Sequence, residues 1–120
     1  MCQIERKAMG YTDKANEVDL GLRSMFKAAP KVIAAVNSLI NEASAEGKLG
    51  KKEKELMALA IAVAIRCDKC IVFHARAAAK HGANRQEIIE ALGVAIEMSG
   101  GPGAVYAGDA LHAFDEFSQT

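Results

Sequence analysis

Apolar residues recur along this chain at the spacing of an α-helix, and this spacing limits the folds open to it. No stretch of useful length alternates between apolar and polar residues at period two, the pattern of a half-buried strand. The chain has only two prolines, Pro30 and Pro102, and both lie at predicted helix boundaries. The clearest apolar stripe follows the first of them and consists of Val32, Ile33, Val36, Leu39, Ile40 and Ala43. The pattern predicts an all-α protein of about six helices.

Capping residues and glycines indicate where these helices begin and end. Pro30 suits a first helical turn, because its missing N–H has no partner there. Asn84 and Glu87 have the spacing of an N-terminal capping box, and Gly82 suits the end of the preceding helix. The predicted helices are one near 13–28, one from Pro30 to the break EGKLG, one over about 51–66, one ending at Gly82, one from Asn84 to a break at 100–103, and a last one. The residues expected to face the core in the last two are Ile88, Ile89, Leu92, Ala95 and Ile96, then Leu111, Phe114 and Phe117.

The third predicted helix begins with the charged stretch KKEKE and then becomes apolar on nearly every side, as LMALAIAVAI. A helix that is apolar all round is buried, either in a larger core or in a subunit interface. Because a 120-residue monomer has little room for such a helix, the sequence favours an obligate homo-oligomer.

Composition narrows the possible partners and the compartment. The 120 residues suit a single domain over 1–120, and 15 basic residues balance 15 acidic ones, so neither nucleic acid nor an anionic membrane is an expected partner. The longest apolar run, 56–65, is shorter than the roughly 20 residues that span a bilayer. The N-terminal MCQIERKAMGYTDK has no apolar signal core. We therefore expect a cytoplasmic protein without a membrane partner, in which a CxxC is more often catalytic or metal-binding than structural.

The stretch RCDKCIVFH, residues 66–74, contains two cysteines and a histidine that are candidate reactive residues. Cys67, Cys70 and His74 are spaced so that they share one face of a helix, with Cys67 at or just before its start. The partial positive charge of a helix N-terminus favours thiolate over thiol. His74 lies one turn after Cys70 and can accept its proton, directly or through a water. This is the layout of an activated cysteine with a neighbouring base, and the second cysteine suits a resolving thiol that closes a disulfide.

Other interpretations of these residues stay open. A structural zinc site needs four ligands, whereas this motif gives three and the remaining cysteine, Cys2, is far away in sequence. A haem attachment needs histidine directly after the second cysteine, where Ile71 stands. A thioredoxin-like site needs a βαβ context, which is absent, and two inert buried cysteines are a further alternative. His81 is interpreted as a C-terminal helix residue, His112 as a surface or interface residue, and Cys2 as a terminal thiol.

The spacing Glu55, eleven residues, Cys67, two, Cys70, three, His74 resembles the signature of the AhpD-like alkylhydroperoxidases of the carboxymuconolactone decarboxylase superfamily. KEKELMALAIAVAIRCDKC, HARAAAKHGANRQEIIEALGVA and GGPGAVYAGDAL are similar to its small CxxC-bearing members, and the resemblance covers about 30–115. It implies an all-helical domain that assembles as a hexamer, favoured for a short member, or as a trimer or dimer. No bound cofactor and no metal are implied.

The resemblance also implies roles for these four residues. Cys70 would be oxidised by a hydroperoxide and Cys67 would act as proton donor and resolving thiol, while Glu55 and His74 would form a proton relay. The reductant would be a dithiol protein or a small dithiol. Asp68 and Lys69 stand between the cysteines, where the peroxidase that names the family has a histidine. Two alternatives follow, a small-molecule lyase that uses Glu55 and His74 as acid and base, and a non-catalytic redox sensor or metal-binding partner.

Overall fold

The computed structural model describes residues 10–119 and consists of five helices. They are α1 (Tyr11–Ala28), α2 (Pro30–Ser44), α3 (Lys51–Ala64), α4 (Asp68–Lys80) and α5 (Arg85–Ser118). No strand occurs within this part of the chain. The predicted all-α fold is confirmed, and the first four helices agree with the predicted ones to within a few residues.

The difference between five helices and the expected six lies at a single glycine in α5. Gly100 has φ 72° and ψ −149°, a non-helical conformation that divides α5 at a kink. Glycine adopts such a conformation at little cost because it has no Cβ. Pro102 lies within the helical span just after the kink. The last two predicted helices are therefore the two halves of one kinked element.

The core lies between α3, α4 and the two halves of α5. Its largest fully buried side chains are Leu59, Val63, Ile71, Val72 and Ile88. Phe114 and Phe117 of α5 are buried as predicted, whereas Ile89 was wrongly assigned to the core and is 37% exposed. This core holds the end of α3 against the start of α4, which is where the sequence places the cysteines.

Helices α1 and α2 form a peripheral hairpin that contributes little to the core. Ala15 is the only buried residue of α1, and α2 has none. Polar contacts attach the hairpin to the rest of the chain. Asp19 of α1 accepts two hydrogen bonds from Arg76 of α4, both 3.0 Å, and Lys54 donates to the last carbonyls of α2. The apolar stripe of α2 is therefore largely exposed in the single chain.

The predicted capping box at the start of α5 is present and also ties this helix to α3. The Asn84 side chain accepts from the backbone N–H of Glu87 at 2.8 Å, and the Glu87 carboxylate accepts from the Asn84 N–H at 2.9 Å. The same carboxylate accepts from Lys52 Nζ at 2.8 Å. These bonds hold the pKa of Glu87 below its usual range, with the Lys52 bond as the largest cause.

By length and composition alone, α5 is apolar enough to cross a membrane, with a mean hydropathy of 1.2 over its most apolar window. One such helix is weak evidence for a span, because core helices of soluble proteins pass the same test. Here α5 contributes Ile88, Leu92 and Phe114 to the core. The expectation of no membrane partner stays a prediction.

Glu116 of α5 caps the first turn of α1, and its removal should weaken the attachment of the hairpin. Its carboxylate accepts from the N–H groups of Tyr11 and Thr12 and from Thr12 Oγ1, at 2.8–3.2 Å. Loss of an N-terminal cap costs roughly 0.5–2 kcal/mol, and Glu116→Gln should fall near the lower end of this range because its amide keeps one acceptor oxygen. Urea unfolding at neutral pH measures this cost, with the exposed Glu97→Gln as a control that leaves stability unchanged.

The same variant should change how stability depends on pH. Hydrogen bonds from the Thr12 N–H and hydroxyl lower the pKa of Glu116 in the folded chain. The stabilisation is therefore fully present above the unfolded pKa of about 4.3 and is lost as pH falls through the lower folded pKa. Glu116→Gln should lack this part of the acid-induced loss of stability. An identical acid dependence in the two proteins would contradict the capping role.

Candidate functional site

The turn between α3 and α4 delivers Cys67 to the start of a helix. Arg66 adopts a left-handed φ of 59°, which is uncommon for a residue with a side chain and ends α3 abruptly. Cys67 follows as the N-cap of α4, and its Sγ accepts the backbone N–H of Cys70 at 3.3 Å. The sulfur of Cys67 therefore takes the place of the usual capping oxygen. Negative charge on it is stabilised by this N–H group and by the helix dipole.

Cys67 and Cys70 are joined by a disulfide. Their Cα atoms are 5.2 Å apart, within the range that a disulfide spans without movement of the backbone. The pair thus lies where it can open and close while α4 stays in place. This is the arrangement that a redox-active CxxC requires.

Glu55 and His74 are brought into contact across the α3–α4 interface. Glu55 Oε1 lies 2.8 Å from His74 Nδ1, and the two side chains are 12% and 28% exposed. An ionised carboxylate only accepts hydrogen bonds, so Nδ1 carries the proton that it shares with Glu55. In the neutral imidazole, Nε2 is then the free basic nitrogen. Nineteen residues separate the two in sequence, and the packing of the two helices makes this pair.

Cys70 and His74 line two small cavities together, each of about 240 Å³. The cavity on the side of the hairpin, here called the reactive pocket, is completed by Val18, Leu22, Ile40, Lys69 and Phe73. The other cavity is completed by Ala58, Ile61, Ala62 and Ile65 of the α3 end. Cys67 lines neither of them, so Cys70 is the cysteine that borders both cavities. A cavity of about 620 Å³ between α1, α4 and α5 contains neither cysteine.

The residues that form the walls of the reactive pocket were not predicted from the sequence as site residues. Val18 and Leu22 come from α1, Ile40 from α2 and Phe73 from α4. Each was interpreted as a helix-face residue, or was not singled out, because the pocket exists only where three helices meet. The ring of Phe73 packs edge-on against His74, with centroids 5.2 Å apart. In the sequence, the position of Phe73 directly before His74 was the one indication that Phe73 belongs to the site.

The remaining candidate residues lie apart from this site. His81 is the C-cap of α4, in agreement with its prediction, and His112 is exposed. Cys2 lies outside the described residues. Within residues 10–119, no group of three or more His, Cys, Asp or Glu side chains is arranged to hold a metal ion.

These features define a class of protein: a helical domain whose CxxC begins a helix beside a Glu–His pair. The sequence profile of the carboxymuconolactone decarboxylase family matches residues 30–113, more than two thirds of the chain. The chain belongs to the carboxymuconolactone decarboxylase family, and the resemblance to its AhpD-like members is confirmed at this level.

Several relatives are similar over most of their length. An uncharacterized protein of Cupriavidus necator is 38% identical over 85% of this chain and 90% of its own. An uncharacterized protein of the cox locus of Paracoccus denitrificans is 36% identical, over 91% and 86%.

Two crystal structures of family members share the fold. One, an apo structure from Legionella pneumophila, has a TM-score of 0.88 and 41% identity, over 90% of this chain and 96% of its own. The other, from Thermotoga maritima, has a TM-score of 0.78 and 28% identity, over 88% and 91%, and is described with a suggested involvement in antioxidative response.

Reduction of the disulfide should leave the fold unchanged, because the core is built from apolar side chains of α3, α4 and α5. The bond closes a loop of only three residues' separation, so its entropic contribution is limited to about 2 kcal/mol. Far-UV circular dichroism with and without a dithiol reductant should give the same helix content. A Cys67→Ser/Cys70→Ser variant serves as the permanently open control. Loss of helix on reduction would mean that the disulfide is structural.

Proposed function

We propose that this protein is a thiol-dependent hydroperoxide reductase, that is, a dithiol–disulfide oxidoreductase of the AhpD-like type. The observation that carries the proposal is the 2.8 Å contact between Glu55 and His74, which places a carboxylate-oriented imidazole in the same small pocket as Cys70. A nucleophile, a base and a group that orients the base are the parts of an activated cysteine site. The linked Cys67 supplies the partner thiol.

In the oxidative step, His74 Nε2 takes the proton of the Cys70 thiol, and Glu55 stabilises the imidazolium through Nδ1. The thiolate sulfur attacks the terminal oxygen of the hydroperoxide, so an S–O bond forms and the O–O bond breaks. The sulfur is oxidised to a sulfenic acid, and the departing alkoxide takes the proton from His74 and leaves as an alcohol. Every proton removed in this step is returned to the product.

In the resolving step, the sulfur of Cys67 attacks the sulfenic sulfur, and the hydroxide leaves as water with the Cys67 proton. The disulfide that results is the one in the structure. An external dithiol, a protein or a small molecule, then reduces it. We expect attack on Cys70, because the Cys70 N–H that donates to Cys67 Sγ stabilises Cys67 as the departing thiolate.

We also propose that the chain works as a homo-oligomer, with a hexamer favoured over a trimer or dimer. The homo-oligomer is supported by apolar side chains that remain exposed to water in a single chain. Val32 and Leu39 of α2 are 60% and 67% exposed, and Ile61 and Ile65 at the α3 end are 59% and 64% exposed. Monomeric proteins seldom expose contiguous apolar surface on this scale. Multi-angle light scattering measures the subunit number.

Single cysteine variants should separate the two thiol roles. Cys70→Ser should abolish peroxide turnover, because no thiol then faces the reactive pocket. Cys67→Ser should react once and stop as a sulfenic acid or as a mixed disulfide with the reductant. Peroxide consumption with a dithiol, together with trapping of the sulfenic acid by dimedone and mass spectrometry, measures both. Normal turnover by Cys70→Ser would refute the proposal.

Glu55→Gln should slow oxidation of Cys70, because a neutral glutamine lacks the negative charge that stabilises the imidazolium of His74. General acid–base groups typically contribute about 10²–10⁴-fold, so a loss near the lower end of that range is expected. Stopped-flow measurement of the first oxidation isolates this step from re-reduction. Glu53→Gln on the same helix is the matched control, since Glu53 is exposed and its ion pair with Lys52 spans 3.8 Å. Equal rates in the two variants would remove Glu55 from the relay.

The Glu55–His74 pair also supports a second candidate, a lyase of the family's decarboxylase type that uses these residues as acid and base. The Cys67→Ser/Cys70→Ser variant distinguishes the two. Activity on a small carboxylated substrate that survives in this variant would favour the lyase. Oxidation of the cysteines without turnover by any dithiol would instead indicate a redox sensor.

A further inference from the structure

We propose that the groove between α1 and α2 binds the alkyl tail of a medium- or long-chain hydroperoxide whose peroxide end reaches Cys70. This inference rests on the proposed function and adds the substrate class. It assigns a role to apolar residues outside the four-residue motif. The groove is defined by Leu22 and Phe26 of α1, Ile33, Val36 and Ile40 of α2, and Phe73 of α4.

The groove adjoins the reactive pocket. Leu22, Ile40 and Phe73 line both of them, so the two spaces meet at these three side chains. The pocket has a volume of about 240 Å³ and the groove about 610 Å³. In the proposed binding mode, a molecule in the groove extends past these three side chains to Cys70 and His74. Hydrogen peroxide would fill only a small part of this space.

Six of the ten side chains that line the groove are apolar. Seven residues separate Ile40, at the pocket, from Ile33, near the turn between the helices, and this corresponds to about 10 Å along the helix axis. The residues along this path are aliphatic or aromatic, whereas Asp19, Arg23, Asn37 and Asn41 supply the polar part of the lining. An extended alkyl chain matches this shape, and each methylene that leaves water adds to its affinity.

Fixed contacts hold the junction between groove and pocket in place. The Arg76 guanidinium lies 5.5 Å from the centre of the Phe73 ring and donates two hydrogen bonds to Asp19 of α1. These bonds hold the pKa of Asp19 below its usual range. Arg76 thus positions both the aromatic wall and the helix opposite it, so the opening toward Cys70 is built into the fold.

The outward face of α2, formed by Val32 and Leu39, borders the groove along Val36, which lies about 40° around the helix from Val32. Val32 lies about 100° around the helix from Ile33 and is 60% exposed, whereas Ile33 is partly covered inside the groove. A second copy of the chain can therefore cover the outward face while the groove takes a substrate. Unlike the outward face, the groove shares side chains with the reactive pocket, and this favours a reacting molecule as its occupant.

Stopped-flow oxidation of the reduced protein by hydrogen peroxide and by straight-chain butyl, hexyl, octyl and decyl hydroperoxides tests the assignment. The second-order rate constant should rise with chain length, by about threefold to fourfold for each methylene that becomes fully buried. It should level off once the groove is filled. The reaction is followed in a single turnover, so no reductant partner is needed.

Ile33→Glu places a carboxylate in the far half of the groove, and Val36→Glu is a second variant at a more exposed lining position. Both should reduce the octyl rate to near the butyl rate and leave the hydrogen peroxide rate unchanged. Ser38→Glu adds the same charge at an exposed position of α2 outside the groove and should keep the wild-type profile. Light scattering is recorded for every variant.

A flat dependence on chain length in the wild-type protein, with Cys70 oxidised by every peroxide, would overturn the groove assignment and leave the reductase intact. Loss of selectivity that accompanies a change in subunit number would assign the groove to a second copy of the chain and overturn it as well. Thiols that stay reduced with all of the peroxides would instead refute the proposed function itself.

Discussion

The packing of α3 against α4 is the constraint on which the candidate site depends. Leu59 and Val63 of α3 and Ile71 and Val72 of α4 are fully buried in one core. This core fixes the distance between Glu55, one turn before Leu59, and His74, one turn after Cys70. A hydrogen bond of 2.8 Å between two side chains on different helices needs this rigidity. The candidate site residues therefore lie on the most buried part of the molecule, and the proposed change of oxidation state is confined to the start of α4.

The hairpin of α1 and α2 has the opposite character. It carries only one buried residue, and polar contacts from Glu116, Arg76 and Lys54 attach it to the core. Its apolar residues fall into two groups. Some line the reactive pocket and the groove, and others face outward. A single chain gains little stability from such a hairpin, so covering of the outward residues by further copies is consistent with the oligomer expected from α3. Chemistry and assembly would then use neighbouring faces of the same two helices.

Local signals in the sequence predicted much of the fold. Pro30, the Asn84–Glu87 capping box and the spacing of the cysteines each act within a few residues, so the start of α2, the start of α5 and the N-terminal position of Cys67 could be predicted.

Gly100 was correctly identified as a break, but the spacing could not show that the helix resumes directly after it. Periodicity identifies an apolar face without showing what covers it, which is why Ile89 was wrongly assigned to the core. For the same reason the stripe of α2 was identified without a prediction of its exposure. The Glu116 cap, 104 residues from Thr12, and the three-helix pocket wall have no local signature. The pairing of Glu55 with His74 came from the resemblance alone, since only packing makes the contact.

The proposed function requires that the Cys67–Cys70 dithiol, beside the Glu55–His74 pair, reacts with a hydroperoxide. The most direct measurement is mass spectrometry of the fully reduced protein before and after one equivalent of cumene hydroperoxide, with a metal assay on the same sample. We expect rapid loss of two hydrogens, mapped to Cys67 and Cys70 and reversed by a dithiol. Slow or absent oxidation in metal-free protein would contradict it and would direct attention to acid–base chemistry at Glu55 and His74.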